Sequence, residues 1–302
     1  MKVVITGGTG FLGTALTESL LQDGHHVVHI SRKAGSVKSP SFQTVMWDGV
    51  TARGWHEQVS GADVIVNLAG ENIGAQRWTT QQKDRILNSR VRAGQAVAEA
   101  ISLSEIKPRL LIQASGIGYY GRTGDALITE QSPAGMDFLA QVSVAWENST
   151  AAVEAMGVRR VILRTGIVLD AHQGALQRLL LQYRLFAGGP LGNGRQWFPW
   201  ISLEDEIGAI RYLMGSETAN GAFNLCAPQP VRMSDFGRML ARALGRPYWM
   251  PVPAFALRLV LGEMSTLVLD GQRAVPEKLL QMQYKFQQSD LESALKTTLK
   301  RG

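Results

Sequence analysis

A single cysteine, Cys226, stands among 302 residues, so no internal disulfide can form and the lone thiol fits a reducing compartment. No stretch approaches the roughly 18 uninterrupted apolar residues that a spanning helix needs, so no transmembrane segment is expected. The opening MKVVITGG offers only Val3, Val4 and Ile5 before glycine appears, too little for a signal-peptide core. Together these absences predict a cytoplasmic protein without a membrane partner. Histidine is also scarce. Three of the five, His25, His26 and His29, lie close together at the entry to a predicted strand, where residues 26 and 29 point to opposite faces. They are expected to be solvated turn residues, with no metal bound, and His56 and His172 are expected to be isolated surface residues. A GxSxG nucleophile elbow is missing, which argues against a serine hydrolase. The formal charge of +6 is spread over scattered Lys and Arg, with no basic helix or aromatic-interleaved stripe, so no nucleic-acid partner is expected. Composition says nothing of the oligomeric state.

What is present is a globular pattern, with 45% apolar and 19% charged residues. Short apolar runs alternate with helical periodicity. Strands are expected at 3–5, 27–30, 44–47, 64–68, 110–112 and 161–163, and helices at 11–21, 79–102 and 138–156. Apolar strands separated by helices indicate a parallel sheet covered on both faces, a doubly wound α/β domain of the Rossmann type. After Leu169 the pattern loosens. Helices are expected at 175–186, 204–214, 234–244, 253–261 and 289–300, with one more strand at 222–225. The division predicted is a nucleotide-binding domain at 1–170 plus about 200–226. A small, mostly helical substrate domain takes about 171–199 plus 227–302.

The first strand runs into Gly7-Gly8-Thr9-Gly10-Phe11-Leu12-Gly13, with Gly7, Gly10 and Gly13 three apart. Glycine permits the tight turn, the approach of backbone to a pyrophosphate and the close packing of helix on sheet. The helix N-terminus then presents free N–H groups and a positive dipole end to the phosphates. The second strand ends in Ser31-Arg32-Lys33, with no acid until Asp48, where an NAD site places an acid for the ribose hydroxyl. A hydroxyl and two cations suit a 2′-phosphate, so NADP(H) is the expected cofactor.

These residues resemble the extended short-chain dehydrogenase/reductase superfamily. The stretch Val66-Asn67-Leu68-Ala69-Gly70-Glu71-Asn72-Ile73, with Arg77-Trp78-Thr79, Lys83 and Ser89-Arg90, narrows the likeness to an epimerase-family group called YfcH-like. Ser115 to Gly121, Trp146-Glu147, Arg164 to Leu169, Gly188 to Gln196, Trp200-Ile201, Asp205 and Gly271-Gln272-Arg273 agree with it, so the likeness covers nearly the whole chain. The resemblance implies nucleotide contacts at Trp47, Asp48, Asn67, Leu68, Ala69, Gly70, Arg90, Ser115, Thr165 and Ile167, besides the glycine turn.

The superfamily's chemistry runs on Ser, Tyr and Lys. Ser115 is in place after the fifth strand, but the helix that should carry YxxxK reads Phe138 and Val142 at that spacing. Shifted by one residue to fit Glu147, it reads Leu139 and Ser143. Neither register offers a phenol or an amine. Two readings follow. In one, the chain is an atypical oxidoreductase or epimerase acting on a small carbonyl or sugar-like compound. Ser115 orients the substrate and Tyr120 donates the proton, with Tyr119, Lys83, Arg90 or Glu71 as other replacements. In the other, it is a catalytically silent NADP(H)-binding sensor. The glycine-rich loop at 188–200 offers Arg195, Trp197 and Trp200 to a substrate, through bidentate anion binding and ring stacking.

Overall fold

The computed structural model describes residues 1–33 and 39–300. The first half alternates strand and helix: β1 (Lys2–Thr6), α1 (Phe11–Gln22), β2 (His26–Ser31), β3 (Phe42–Met46), β4 (Val64–Asn67), α2 (Thr80–Leu103) and β5 (Leu110–Gly116). Next come β6 (Leu127–Ile128), α3 (Phe138–Asn148), β7 (Arg159–Thr165), β8 (Ile167–Leu169), α4 (Gly174–Arg184), β9 (Trp197–Phe198), β10 (Trp200–Ser202), α5 (Leu203–Gly215) and β11 (Gly221–Leu225). The remainder holds β12 (Val231–Arg232), α6 (Met233–Leu244), α7 (Ala254–Leu261), α8 (Thr266–Leu269), β13 (Arg273–Ala274), α9 (Glu277–Gln281) and α10 (Leu291–Lys300).

Seven strands form one parallel sheet in the order β11-β7-β5-β4-β1-β2-β3. The order reverses between β1 and β4, and a crevice opens there at the carboxyl ends of the strands. Strand alternation sends Val3, Ile5 and Val66 to one face, against Leu16, Leu20, Ile210 and Leu213, and sends Val4, Val28 and Ile65 to the other, against Val97 and Ile101. Because both faces are covered, these strands read as unbroken apolar runs.

Three expectations are corrected. The helix expected at 138–156 is two pieces: α3 stops at Asn148 and a 3-10 turn spans Ala151–Met156. The Ser149 hydroxyl donates back to the Trp146 carbonyl at 2.6 Å, and α2 presses on the break, since a Cβ on Gly94 would overlap the Ser149 hydroxyl. The third strand starts at Phe42 and stops before Trp47. His29 is not solvated: it is 5% exposed, edge-on to Phe42, and shares a 2.6 Å hydrogen bond with the Thr17 hydroxyl. The C-terminal part is mostly helical; β13 pairs with β6 and ties it to the rest, while β8 pairs with β10 and β9 with β12.

Candidate nucleotide site

The glycine turn occupies the switch point. Gly7 sits at φ +74°, and a Cβ there would lie 2.7 Å from the Leu68 backbone, so both conformation and space demand glycine. Gly13 lies against the turn itself, where a Cβ would come within 2.5 Å of the Gly7 carbonyl. Gly10 differs. Its backbone is extended (φ −81°), and a Cβ would meet only the Gly7 carbonyl, at 3.2 Å. What glycine provides at position 10 is open room on the cleft side. No side chain caps α1 and no acid stands in its first turn, so its N–H groups stay available to an anion. Beneath the turn, Thr17 donates to the Gly13 carbonyl at 2.7 Å and therefore accepts from His29 Nε2. Burial holds the His29 ring neutral, with its pKa lowered to about 4.

A cleft of about 1110 Å³ opens over this turn. Of the nucleotide contacts expected from the sequence, Gly7, Thr9, Gly10, Ser31, Arg32, Lys33, Trp47, Asp48, Leu68, Ala69 and Gly70 line it. The Arg32 side chain lies across Gly49, with its Cδ 3.1 Å from where a Cβ would stand. Trp47 forms a wall, its indole N–H bonded to the Thr51 carbonyl at 2.7 Å. Asp48 accepts from the Thr51 hydroxyl and from the Thr51 and Val50 amides, which lowers its pKa and commits it to the loop.

The rest of the expected set lies outside this cleft. Phe11 and Leu12 pack against the core, with the Phe11 ring near Gly174. Asn67 is fully buried: its Oδ1 accepts from the Thr6 hydroxyl and the Ala69 amide, and its amide donates to Gln113, so it orders the loop after β4. Arg90 stacks on Trp146 and presses under Gly70, and desolvation lowers its pKa to about 10 against the pull of Glu71. Thr165 donates to Glu206 at 2.8 Å, and Ile167 packs on the C-terminal core.

Sequence reasoning missed one wall of the cleft. Gln81, Asp84, Arg85, Asn88 and Arg92 project from α2 at spacings of three and four. The signal was available as a polar stripe on a helix whose other face is apolar.

Ser115 stands at the end of β5, 7% exposed, and donates to Glu147 Oε1 at 2.7 Å. Arg164 grips both Glu147 oxygens, at 2.9 and 3.0 Å, donates to the Tyr120 hydroxyl at 3.0 Å, and stacks its guanidinium on Tyr119. Tyr120 in turn donates to Asn224 at 2.7 Å. The proton-donor role expected of Tyr120 is corrected here: the residue is 2% exposed, its hydrogen is engaged, and burial pushes its pKa up to about 12. Lys83 is ion-paired with Glu263, and the Glu71 amide is bonded to the Ser89 hydroxyl.

On α3, Leu139 and Glu147 share a face with Ser143 and meet β5 and the turn after it. Leu139 lies 3.2 Å from where a Gly118 Cβ would stand, and Glu147 holds Ser115. Phe138 and Val142 pack among Trp78, Ile86 and Met264. The one-residue shift is therefore the register that faces Ser115, and it places leucine and serine at the superfamily's Tyr and Lys positions.

The glycine-rich loop is divided. Trp200 is 1% exposed and belongs to the C-terminal core with Leu176 and Leu180, so its expected substrate role is corrected. Trp197 is half-buried between the guanidinium groups of Arg232 and Arg273, and its indole donates to Asp125. Arg195 is exposed. Among the described residues no cluster of three or more metal-ligating side chains occurs, and no helix is long and apolar enough to cross a membrane.

The chain is similar along its length to several known proteins. At 42% identity over 298 residues, covering 98% of this chain and 97% of the relative, it matches the epimerase family protein YfhF of Bacillus subtilis. It matches the chloroplastic SDR39U1 homolog of Arabidopsis thaliana at 36% identity, covering 99% of this chain and 87% of that one. The crystal structure of human epimerase family protein SDR39U1 with NADPH superposes with a TM-score of 0.91 at 34% identity and full coverage of both chains. Residues 252–298 match a domain of unknown function, DUF1731, and residues 3–226 match the profile described as the NAD dependent epimerase/dehydratase family. The glycine turn, the parallel sheet and these matches agree, and the chain belongs to the NAD-dependent epimerase/dehydratase family.

Proposed function

We propose that this chain binds NADP(H) in the cleft above the glycine turn and responds to the nucleotide, without the proton transfer by which the superfamily reduces or epimerises its substrates. The observation that carries the reading is the face of α3 toward Ser115, which offers Leu139 and Ser143 where a phenol and an amine belong. Leucine has no proton to give, and a serine hydroxyl is a poor acid near neutral pH and carries no positive charge to lower a neighbour's pKa as a lysine does. The residues present fit the nucleotide. The uncapped start of α1 and the room beside Gly10 would hold the pyrophosphate, and Ser31, Arg32 and Lys33, which line the same cleft, would hold the 2′-phosphate. NADPH bound by the human relative supports that choice. Bound nicotinamide would supply a hydride; this chain's residues would supply its position.

Calorimetric titration is expected to show NADPH binding far more tightly than NADH. Arg32→Ala should remove about 1.5–3 kcal/mol of that preference, the worth of one charge-assisted contact. Equal affinities in the unaltered protein would overturn the cofactor assignment. With deuterium-labelled NADPH and a panel of aldehydes, ketones and nucleotide sugars, no label should leave the nucleotide. Transfer above the buffer rate would restore the second reading, an atypical oxidoreductase or epimerase on a small carbonyl or sugar-like compound. That reading draws its support from Ser115, retained at the end of β5.

Gly10→Val isolates the phosphate cradle. Its backbone is extended and its only close neighbour is the Gly7 carbonyl, so the variant should keep the melting temperature within a few degrees. The branched side chain would fill the room beside the pyrophosphate, and NADPH binding should be lost. Affinity equal to the unaltered protein's would place the nucleotide elsewhere.

A further inference from the structure

Outside the nucleotide cleft, the largest unexplained feature is apolar surface on α4, on α7 and on the segments after α4 and before α7. Leu181, Leu185 and Phe186 are 62%, 69% and 54% exposed, Trp249 is 61%, and Phe255 and Leu259 are 72% and 76%. None of α7 is fully buried. These side chains have an orientation in common. On α4, Arg178, Leu181 and Leu185 follow one face, and Arg178 reaches the Gly74 carbonyl at 2.6 Å. On α7, Phe255 and Leu259 lead along one face to Gly262, which abuts Arg77. Both exposed ridges therefore turn to the side of the 72–78 loop. Phe186 and Trp249 are joined by the Trp249 indole N–H bond to the Phe186 carbonyl, at 2.9 Å. Phe186 also holds a left-handed backbone, φ 60°, which is costly for a bulky residue.

The charge around this surface has one sign. Between Asp170 and Glu204, and again between Asp235 and Glu263, the sequence contains no acidic residue, while these two stretches carry seven arginines. Arg184, Arg246 and Arg258 are exposed on the elements named above. None of the three forms an ion pair among the described residues, and Arg246 lies over the Phe186 ring. An apolar ridge set with aromatic anchors and unpaired arginines is the pattern of a helix that lies in a bilayer interface. A second copy of the chain fits less well, because a two-fold contact through this face would set the arginines against themselves. Among the described residues no helix is long and apolar enough to span, so the contact proposed is peripheral.

We infer that the exposed faces of α4 and α7 dock this protein on an anionic phospholipid surface, with Phe255, Leu259 and Trp249 entering the headgroup region and Arg184, Arg246 and Arg258 meeting lipid phosphates. This replaces the expectation, drawn from sequence, of no membrane partner. The docking face does not overlap the nucleotide cleft, so the nucleotide reading stands or falls separately.

Flotation with vesicles of phosphatidylcholine alone, or with 30% phosphatidylglycerol, tests the inference on the full-length protein. Binding should require phosphatidylglycerol and weaken as salt is raised. Replacing Arg184, Arg246 and Arg258 by glutamine should lower affinity about fivefold for each arginine removed. Phe255→Glu with Leu259→Glu should abolish binding while leaving NADPH affinity unchanged, which also shows that the variant is folded. Equal recovery on both vesicle types, no recovery on either, or undiminished binding by the arginine variant would overturn the inference. So would a concentration-dependent dimer, seen by light scattering, that Phe255→Glu with Leu259→Glu dissociates, since the covering surface would then be a second copy.

Discussion

Replacing Arg164 by methionine should destabilise the protein by about 3–5 kcal/mol, read as a fall in the urea midpoint with an unchanged slope. Arg164 is 5% exposed and joins three elements. Its fork holds Glu147 of α3, its other amino group reaches the Tyr120 hydroxyl and the Glu130 carbonyl, and its plane covers Tyr119. Methionine keeps much of the volume but leaves the Glu147 carboxylate, 7% exposed, with Ser115 as its one remaining side-chain donor. An unpaired buried carboxylate accounts for most of the cost. The pair itself contributes far less, because both charges are desolvated to make it. Arg164→Met combined with Glu147→Leu should accordingly recover more than half of the loss. A single variant within 1 kcal/mol of the unaltered protein would show that water reaches this network.

Stability should also fall on the alkaline side of neutrality, by about 2 kcal/mol between pH 6.5 and 8. The cause is Glu206, which lies in the core of the α5 start with only the Thr165 hydroxyl donating to it. Burial pushes its pKa up to about 8. The folded chain keeps that proton up to about pH 8, whereas the unfolded chain releases it near 4.5, so each pH unit between these values removes about 1.4 kcal/mol. His29 has the opposite slope. Its folded pKa, about 4, lies below the unfolded value near 6.5, so the stability it contributes is complete above 6.5 and is lost as pH falls toward 4. The two slopes offset one another between about pH 4.5 and 6.5. Calorimetric melting across pH 5 to 9 should show a plateau and then the alkaline decline. Glu206→Gln should flatten that decline, and a decline unchanged in the variant would assign it to another group.

The sheet was legible because its strands are buried on both faces. Val3-Val4-Ile5 and Val64 to Val66 leave no polar position to confuse the pattern, and the glycine spacing marked the switch point. Strand edges were read less well: pairing with β2, not apolar character, carries β3 back to Phe42. The short strands β6, β9, β12 and β13 have two residues each, which is too few to show a period. At the site, the phosphate turn and the basic end of β2 were readable from local residue chemistry. The Ser115–Glu147–Arg164–Tyr120–Asn224 chain was not, since its members come from four separate stretches of sequence and only folding brings them together. Tyr120 lies close to Ser115 along the chain, and nearness along the chain does not give exposure. Trp200 stood in a loop rich in glycine, and nothing local told that β10 carries it inward.

The apolar cluster that seats Phe138 and Val142 also contains Leu261, Met264 and Leu267 from the C-terminal part, against Trp78 and Ile86. The two regions are joined here by apolar contact, reinforced by the Lys83–Glu263 pair. The consequence is mechanical. Such a joint opens only by wetting Trp78 and Met264, so the chain should melt as one cooperative unit. A protease that cuts between residues 245 and 252 should release no stable nucleotide-binding fragment, because the cut strips the cover from the flank of α3.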